Sequence, residues 1–259
     1  MLIDSHCHLN HTKNDDTPSA LIARAKAAGV GGMLTINVHI SNEFDEILDI
    51  AKTHENVWCT VGTHPHDASD EAEKSIDLEK LVKLANSHEK VIGIGETGLD
   101  YYYDNSGQGD QIASFRKHIQ ACLETDKPVI IHARDADDDI IRILKEEAAG
   151  SNLRGIMHCF SSTQKLADFA LDIGFYISLS GMVTFKNADD LRAIVKTVPH
   201  DRLLVETDAP YLAPVPYRGK TNEPSYVVHT AKYLANFLEI DENAFFDLTT
   251  NNFNTLFKL

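Results

Sequence analysis

Two histidines one residue apart, His6 and His8, stand almost at the start of the chain, just after an apolar run at Leu2 and Ile3. On a β-strand the side chains of residues i and i+2 leave the same face. The two imidazoles would then project together, with Cys7 turned the other way. Neutral imidazoles on a rigid strand suit Zn, Mn, Fe and similar ions. An isolated H-x-H is more often two surface histidines in a polar turn, but here later apolar runs end in residues of the same kind: His64, Glu96, His132, His158 and Asp208. The set His6, His8, Glu96, His132, His158 and Asp208 exceeds what one tetrahedral ion with an open position needs, which points to two divalent cations. Glu96 has two oxygens and comes from a middle run, so it is the natural bridge. Ions about 3.5–4 Å apart polarise a substrate oxygen and acidify water. Asp208 would bind metal and accept the proton of the attacking water, so the catalytic residues are Glu96 and Asp208. No Ser, Cys or Thr is placed with a base as a triad, and no covalent intermediate is expected.

Side chains so far apart in sequence must be carried to one rim by regular elements. Apolar runs at Leu2–Asp4, Gly32–Asn37, Val57–Gly62, Val91–Gly95, Val129–His132, Gly155–His158, Phe175–Ser178 and Leu203–Glu206 read as strands. Between them the apolar spacing becomes helical, as in Phe44, Ile47, Leu48 and Ala51, or Ile112, Phe115, Ile119 and Cys122. Eight strands alternating with helices imply parallel pairing. At this length a closed (β/α)8 TIM barrel accounts for them, and residues 1–259 read as one such domain. An open doubly wound sheet would carry a glycine-rich phosphate loop after its first strand, where this chain has His6 and His8. Two helical patterns near the end, Val227–Leu238 and Phe246–Phe257, read as the last barrel helix plus an extra C-terminal capping helix. Four prolines between Ala209 and Pro224 exclude a regular helix there. That segment and Gly98–Gly109 are expected to be loops over the functional rim. Histidines inside helical patterns (His54, His88, His118, His229) are expected to be solvated or half-buried.

Composition narrows the class. The net charge of −15 is the wrong sign for broad phosphate neutralisation, so a polyanion would have to be gripped locally. No run approaches the roughly 18 apolar residues of a membrane span. Nothing at the start suggests export, and four cysteines without C-x-x-C pairing fit a reducing, cytoplasmic setting. The chain is expected to act as a monomer without a membrane partner.

Six stretches in order carry a resemblance: Ile3-Asp4-Ser5-His6-Cys7-His8-Leu9, Gly62-Thr63-His64-Pro65-His66, Gly93-Ile94-Gly95-Glu96-Thr97-Gly98-Leu99-Asp100, Pro128 to Ala136 around His132, His158-Cys159-Phe160-Ser161, and Glu206-Thr207-Asp208-Ala209-Pro210-Tyr211. Along nearly its whole length the chain resembles the TatD family of metal-dependent hydrolases and DNases. The resemblance implies His6, His8, Glu96 and Asp208 around one divalent ion, and Glu96, His132 and His158 around a second. It implies phosphoester hydrolysis, typically 3′-to-5′ exonucleolytic trimming of DNA, with DNA or another phosphoester as substrate. Ala133 stands where this family often has Thr or Ser, a mild departure. His64 resembles a family position near the reacting phosphate, which makes it a substrate-binding candidate.

Arg134 is the other substrate-binding candidate, since its planar fork suits a phosphate oxygen; the alternative is a salt bridge to Asp135, Asp137 or Asp138. His66 reads equally as a substrate contact or a loop histidine. Lys186, Arg218 and Lys220 sit where barrels often bind phosphate, or are solvated surface charge. Tyr101, Tyr102 and Tyr103 either stack on bases or pack a loop. Cys7 and Cys159 are assigned packing roles. Four imidazoles favour Zn, Mn, Fe or Ni, whereas the family is often described as Mg-dependent, so Mg, Mn and Zn all stay open. Amidohydrolase or lactonase chemistry on a small cyclic substrate is the alternative activity, although relatives of that kind commonly carry a modified Lys where this chain has Glu96. A non-catalytic scaffold with a vestigial site is the third reading.

Overall fold

The computed structural model describes residues 1–13, 16–103 and 105–259. Its strands and helices run β1 (Leu2–Cys7), α1 (Pro18–Ala27), β2 (Val30–Thr35), α2 (Ile40–Thr53), β3 (Val57–Val61), the single turn α3 (Glu71–Lys74), α4 (Leu78–Ala85), β4 (Val91–Asp100), α5 (Gln108–Thr125), β5 (Val129–Arg134), α6 (Asp137–Ala148), β6 (Gly155–Met157), α7 (Gln164–Asp172), β7 (Tyr176–Leu179), α8 (Asp189–Val195), β8 (Leu203–Val205), α9 (Val227–Phe237) and α10 (Glu242–Phe257). The strands pair in parallel in sequence order from β1 to β8, which is the expected barrel. Both faces of such a sheet are covered, so its strands are continuously apolar. In β5, Ile130 faces inward with Ile3, Ile92, Ile156 and Leu204. Its neighbours Val129 and Ile131 join the larger cluster shared with Phe115 and Ile119 of α5. The inward residues lie near the starts of the strands. Phe253, Leu256 and Phe257 of α10 pack onto them and close that end of the barrel. Asp241 begins α10 by accepting from the N–H groups of Asn243 (3.0 Å) and Ala244 (3.1 Å).

The first and last strands meet at a seam stitched from both sides. Asp208 N–H donates to His6 O and His8 N–H to Ala209 O, both at 2.9 Å. The Asp4 carboxylate takes the Thr207 N–H at 2.9 Å and the Thr207 hydroxyl at 2.6 Å. The longest strand, β4, has a register irregularity between Ile94 and Thr97. Gly98 (φ +137°) lies so close to β5 that a Cβ there would collide with the His132 backbone. That approach brings Glu96 beside His132.

The expected loop at Gly98–Gly109 begins later than predicted, because Gly98, Leu99 and Asp100 extend β4 by pairing with His132, Ala133 and Arg134. Position 104 of that loop lies outside the described residues. The proline-rich segment is irregular as expected and ends in a 3-10 turn at Pro224–Tyr226. Among the described residues no helix is long and apolar enough to cross a membrane.

Candidate metal centre

The predicted ligands converge at the C-terminal ends of the strands. Glu96 is the hub. Its Oε2 lies 3.3 Å from His6 Nε2. Its Oε1 lies 2.7 Å from His158 Nε2, 3.0 Å from His132 Nδ1 and 3.3 Å from His64 Nε2. Across from it, Asp208 Oδ1 is 3.6 Å from His6 Nε2 and 3.5 Å from His8 Nε2. The rings of His6 and His158 stack at 4.0 Å and 13°. Three trios bring their ligand atoms within 4.8 Å of one another: His6, His8 and Asp208; His6, Glu96 and His158; His64, Glu96 and His132. A cavity of about 630 Å3 opens over them, lined among others by His8, His64, Glu96, His132, His158 and Asp208.

The cluster has the chemistry of a cation site. His6 is fully buried, and among the described residues neither of its ring nitrogens has a neighbour in hydrogen-bonding geometry; the same holds for His158 Nδ1, although Glu206 lies close to it. Buried polar atoms without partners are costly unless something else meets them. Burial works against the charge on Glu96, yet His158 and His64 outweigh it and hold its carboxyl well below the usual range. Asp208 is also lowered, with the His8 hydrogen bond and His6 overcoming burial. Burial opposes charge on His8, His132 and His158 too, but neighbouring carboxylates raise all three. Carboxylates that draw protons onto imidazoles would equally draw a divalent cation between them.

Hydrogen bonds separate the imidazoles by role. His8 Nδ1–H donates to the Ile36 carbonyl at 3.3 Å and its Nε2 faces Asp208 at 3.5 Å, so a cation displacing the proton there would meet the Nε2 lone pair. His64 is the reverse. Its Nδ1 accepts from His66 N–H at 3.1 Å, so its Nε2 carries the hydrogen and points it at Glu96. Burial pushes the His64 pKa down to about 4, so this ring is a neutral donor.

Other candidates resolve differently. Arg134 stacks over Tyr102, 4.3 Å from the ring centre, rather than pairing with Asp135, Asp137 or Asp138. Tyr102 and Tyr103 are exposed at the rim, whereas the Tyr101 hydroxyl donates to Asp139 at 2.7 Å and packs the loop. His66 Nε2 meets Asp100 at 2.9 Å. Arg218 lies over Phe185 and Lys220 over Tyr217. Cys7 is buried in the apolar layer. Cys159 borders the cavity, its thiol donating to the Ser180 hydroxyl at 3.1 Å and held well above the ordinary value by burial and then by nearby carboxylates. His118 is fully buried, not half-solvated. Its Nδ1 donates to Ser114 O (2.7 Å) and its Nε2 accepts from Thr63 N–H (3.0 Å), which anchors the turn before His64.

Two carboxylates went unassigned in the sequence. Glu206 is buried and accepts from Cys159 N–H (2.6 Å) and the Ser178 hydroxyl (2.5 Å), with Oε1 3.4 Å from His158 Nδ1. Asp100 is buried at the end of β4, beside His132. Their spacings held a signal: Asp100 follows Glu96 by four and Glu206 precedes Asp208 by two, intervals that share a strand face.

Comparison with known proteins places the chain in a family. The family model described as TatD related DNase matches residues 3–258. The chain is 39% identical over 259 residues to the uncharacterized metal-dependent hydrolase YabD of Bacillus subtilis (strain 168), covering 100% of both. It is 34% identical over 252 residues to the 3′-5′ ssDNA/RNA exonuclease TatD of Edwardsiella piscicida, covering 94% of each. The crystal structure of the TatD homologue YJJV from Escherichia coli K12 superimposes with a TM-score of 0.91 at 26% identity, over 100% of this chain and 98% of that one. Family model, relatives and barrel agree, and the chain belongs to the TatD family of metal-dependent hydrolases.

Proposed function

We propose that this hydrolase cleaves phosphoester bonds and trims single-stranded nucleic acid, DNA foremost, from the 3′ end. The carrying observation is Glu96, whose two oxygens divide between His6 on one side and His132 with His158 on the other. The name of the Edwardsiella piscicida relative supports the choice of bond. His6, His8, Asp208 and one oxygen of Glu96 would hold one divalent cation; the other oxygen, His132 and His158 would hold a second. An imidazole-rich set suits Zn or Mn better than Mg. Such cations supply Lewis acidity toward a phosphoryl oxygen and water that ionises near neutral pH.

The remaining work belongs to the protein. Asp208 stays ionised, and its carboxylate borders the cavity, where it takes the proton of the attacking water. His64, whose hydrogen is fixed on Nε2 beside Glu96, turns that N–H to a phosphoryl oxygen once substrate enters the cavity. Arg134, on the same cavity wall, meets a second phosphate or a base.

The test strips purified protein with a chelator, then adds Mg2+, Mn2+ or Zn2+ in turn to single strands labelled at the 3′ or 5′ end. Elemental analysis accompanies each assay. Release of the 3′ label, abolished in Glu96→Gln and Asp208→Asn, is the expected result. A metal-loaded wild type that leaves every strand intact would overturn the reading, and turnover of a lactone or cyclic amide instead would move the chemistry to another bond.

A further inference from the structure

We propose that Asp100 is a positioning residue of the metal centre, which fixes the ring of His132 so that Nδ1, not Nε2, is the nitrogen presented to a cation. The inference rests on the reading of His132 as a ligand. It goes beyond that reading by assigning the ligand atom and the group that selects it.

The imidazole of His132 is held between two carboxylates of one strand. Glu96 Oε1 lies 3.0 Å from Nδ1, and Asp100 Oδ2 lies 3.0 Å from Nε2. Asp100 is 1% exposed, so its acceptor capacity is spent on protein donors. Its two oxygens divide the work. Oδ1 accepts the main-chain N–H groups of Tyr102 and Tyr103, each at 3.0 Å, and shapes the rim loop. Oδ2 accepts from the Nε2–H of His132 and, at 2.9 Å, from that of His66. The main chain of Asp100 is fixed as well: its N–H donates to Gln111 Oε1 at 2.8 Å, and its carbonyl accepts from Gln111 Nε2 at 3.1 Å. The carboxylate therefore cannot swing away to suit another arrangement of the ring.

An ionised carboxylate offers no hydrogen, so both rings that face Oδ2 must place theirs on Nε2. In neutral His132 this leaves the Nδ1 lone pair, which is aimed at Glu96. A carboxylate behind a ligating imidazole commonly selects tautomer and orientation in this way, and losing it typically costs about 10–100-fold in metal affinity. A purely structural Asp100, serving only as the cap of the Tyr102–Tyr103 turn, would need Oδ1 alone.

Asp100→Asn separates the two roles. The amide can still offer its oxygen to the rim-loop N–H groups, but its NH2 then faces two imidazoles as a donor. The mutant ring of His132 is driven to carry its hydrogen on Nδ1, turned toward Glu96. The experiment loads wild type and Asp100→Asn with Zn2+ alone. It records long-range 1H–15N spectra of the histidine rings and measures Zn2+ affinity by competition with a chromophoric chelator. Expected are His132 coordinated through Nδ1 with hydrogen on Nε2 in the wild type, and Zn2+ binding weakened about 10–100-fold in the variant. Equal affinity in a folded variant, or a wild-type spectrum with His132 bound through Nε2, overturns the assignment. The wild-type spectrum alone decides the matter if the variant fails to fold. Neither readout involves phosphoester turnover. Failure of the positioning role therefore leaves Zn2+ bound to the wild type, whereas failure to bind Zn2+ at all removes the metal-centre reading together with it.

Discussion

At the scale of single residues, the cluster is an arrangement of hydrogens as much as of lone pairs. His8 and His64 sit on the same mouth, yet their Nδ1 partners make one a lone-pair donor and the other a hydrogen donor. Residue type gave both as strand-end histidines, and only the family resemblance set His64 apart as a substrate-binding candidate. The convergence of His6, His8, Glu96, His132, His158 and Asp208 on one mouth was legible because each stands at the end of an apolar run. Asp100 and Glu206 were not, since a carboxylate that steadies a histidine has no composition of its own. Arg134 supplies a prediction at this scale. Its guanidinium rests on Tyr102 and carries no part of the ligand cluster. Arg134→Ala should therefore raise KM for a single-stranded oligonucleotide about 5–20-fold, the worth of a cation–π or stacking contact, and leave kcat within about twofold. Steady-state kinetics check this, and a collapse of kcat at constant KM would contradict it.

At the scale of elements, two strands decide whether the hub forms. Gly98→Ala would place a methyl group against the His132 carbonyl at a φ that side chains rarely adopt. A loss of about 3 kcal/mol or more is expected, seen as a lower melting temperature together with weaker metal uptake; a variant as stable as wild type would contradict the close packing of β4 on β5. The barrel itself was readable from alternating strand and helix periods. The extent of β4 was not, because its glycines signal a turn in sequence while they serve close strand approach in space. His118 was misplaced for a related reason: a lone histidine in a helical stripe gives no sign of buried partners. Burial lowers its pKa to about 4 from an ordinary 6.5. The unfolded chain therefore binds a proton that the fold refuses as pH drops between those values. The stabilisation is complete above pH 6.5 and is lost toward pH 4, roughly 3 kcal/mol in all. Urea unfolding of wild type and His118→Gln at pH 7 and pH 4.5 should show the gap between them shrinking by most of that amount. A gap that does not change with pH would sink the claim.

For the whole molecule, the seam between β1 and β8 coincides with the cluster of His6, His8 and Asp208. A cation there would tie the two ends of the sheet. With Zn2+ free at about 100 times its Kd, the fold should gain about 2.7 kcal/mol, a rise of roughly 5–10 °C in melting temperature for a domain of this size. Calorimetry with chelator and with Zn2+ measures it, and identical melts in both would mean the ion is not holding the seam. The acidic net charge weighs against broad nucleic-acid binding, so any polyanion would have to be gripped at the one mouth that Arg134 borders. The same seam has a bearing on synthesis. His6 and His8 precede Asp208 by about two hundred residues, so the parts of the cluster are synthesised far apart in time. A stalled or clipped product that ends before Asp208 therefore keeps His6 and His8 without the carboxylate they face, and without the main-chain bonds that join the first strand to the last.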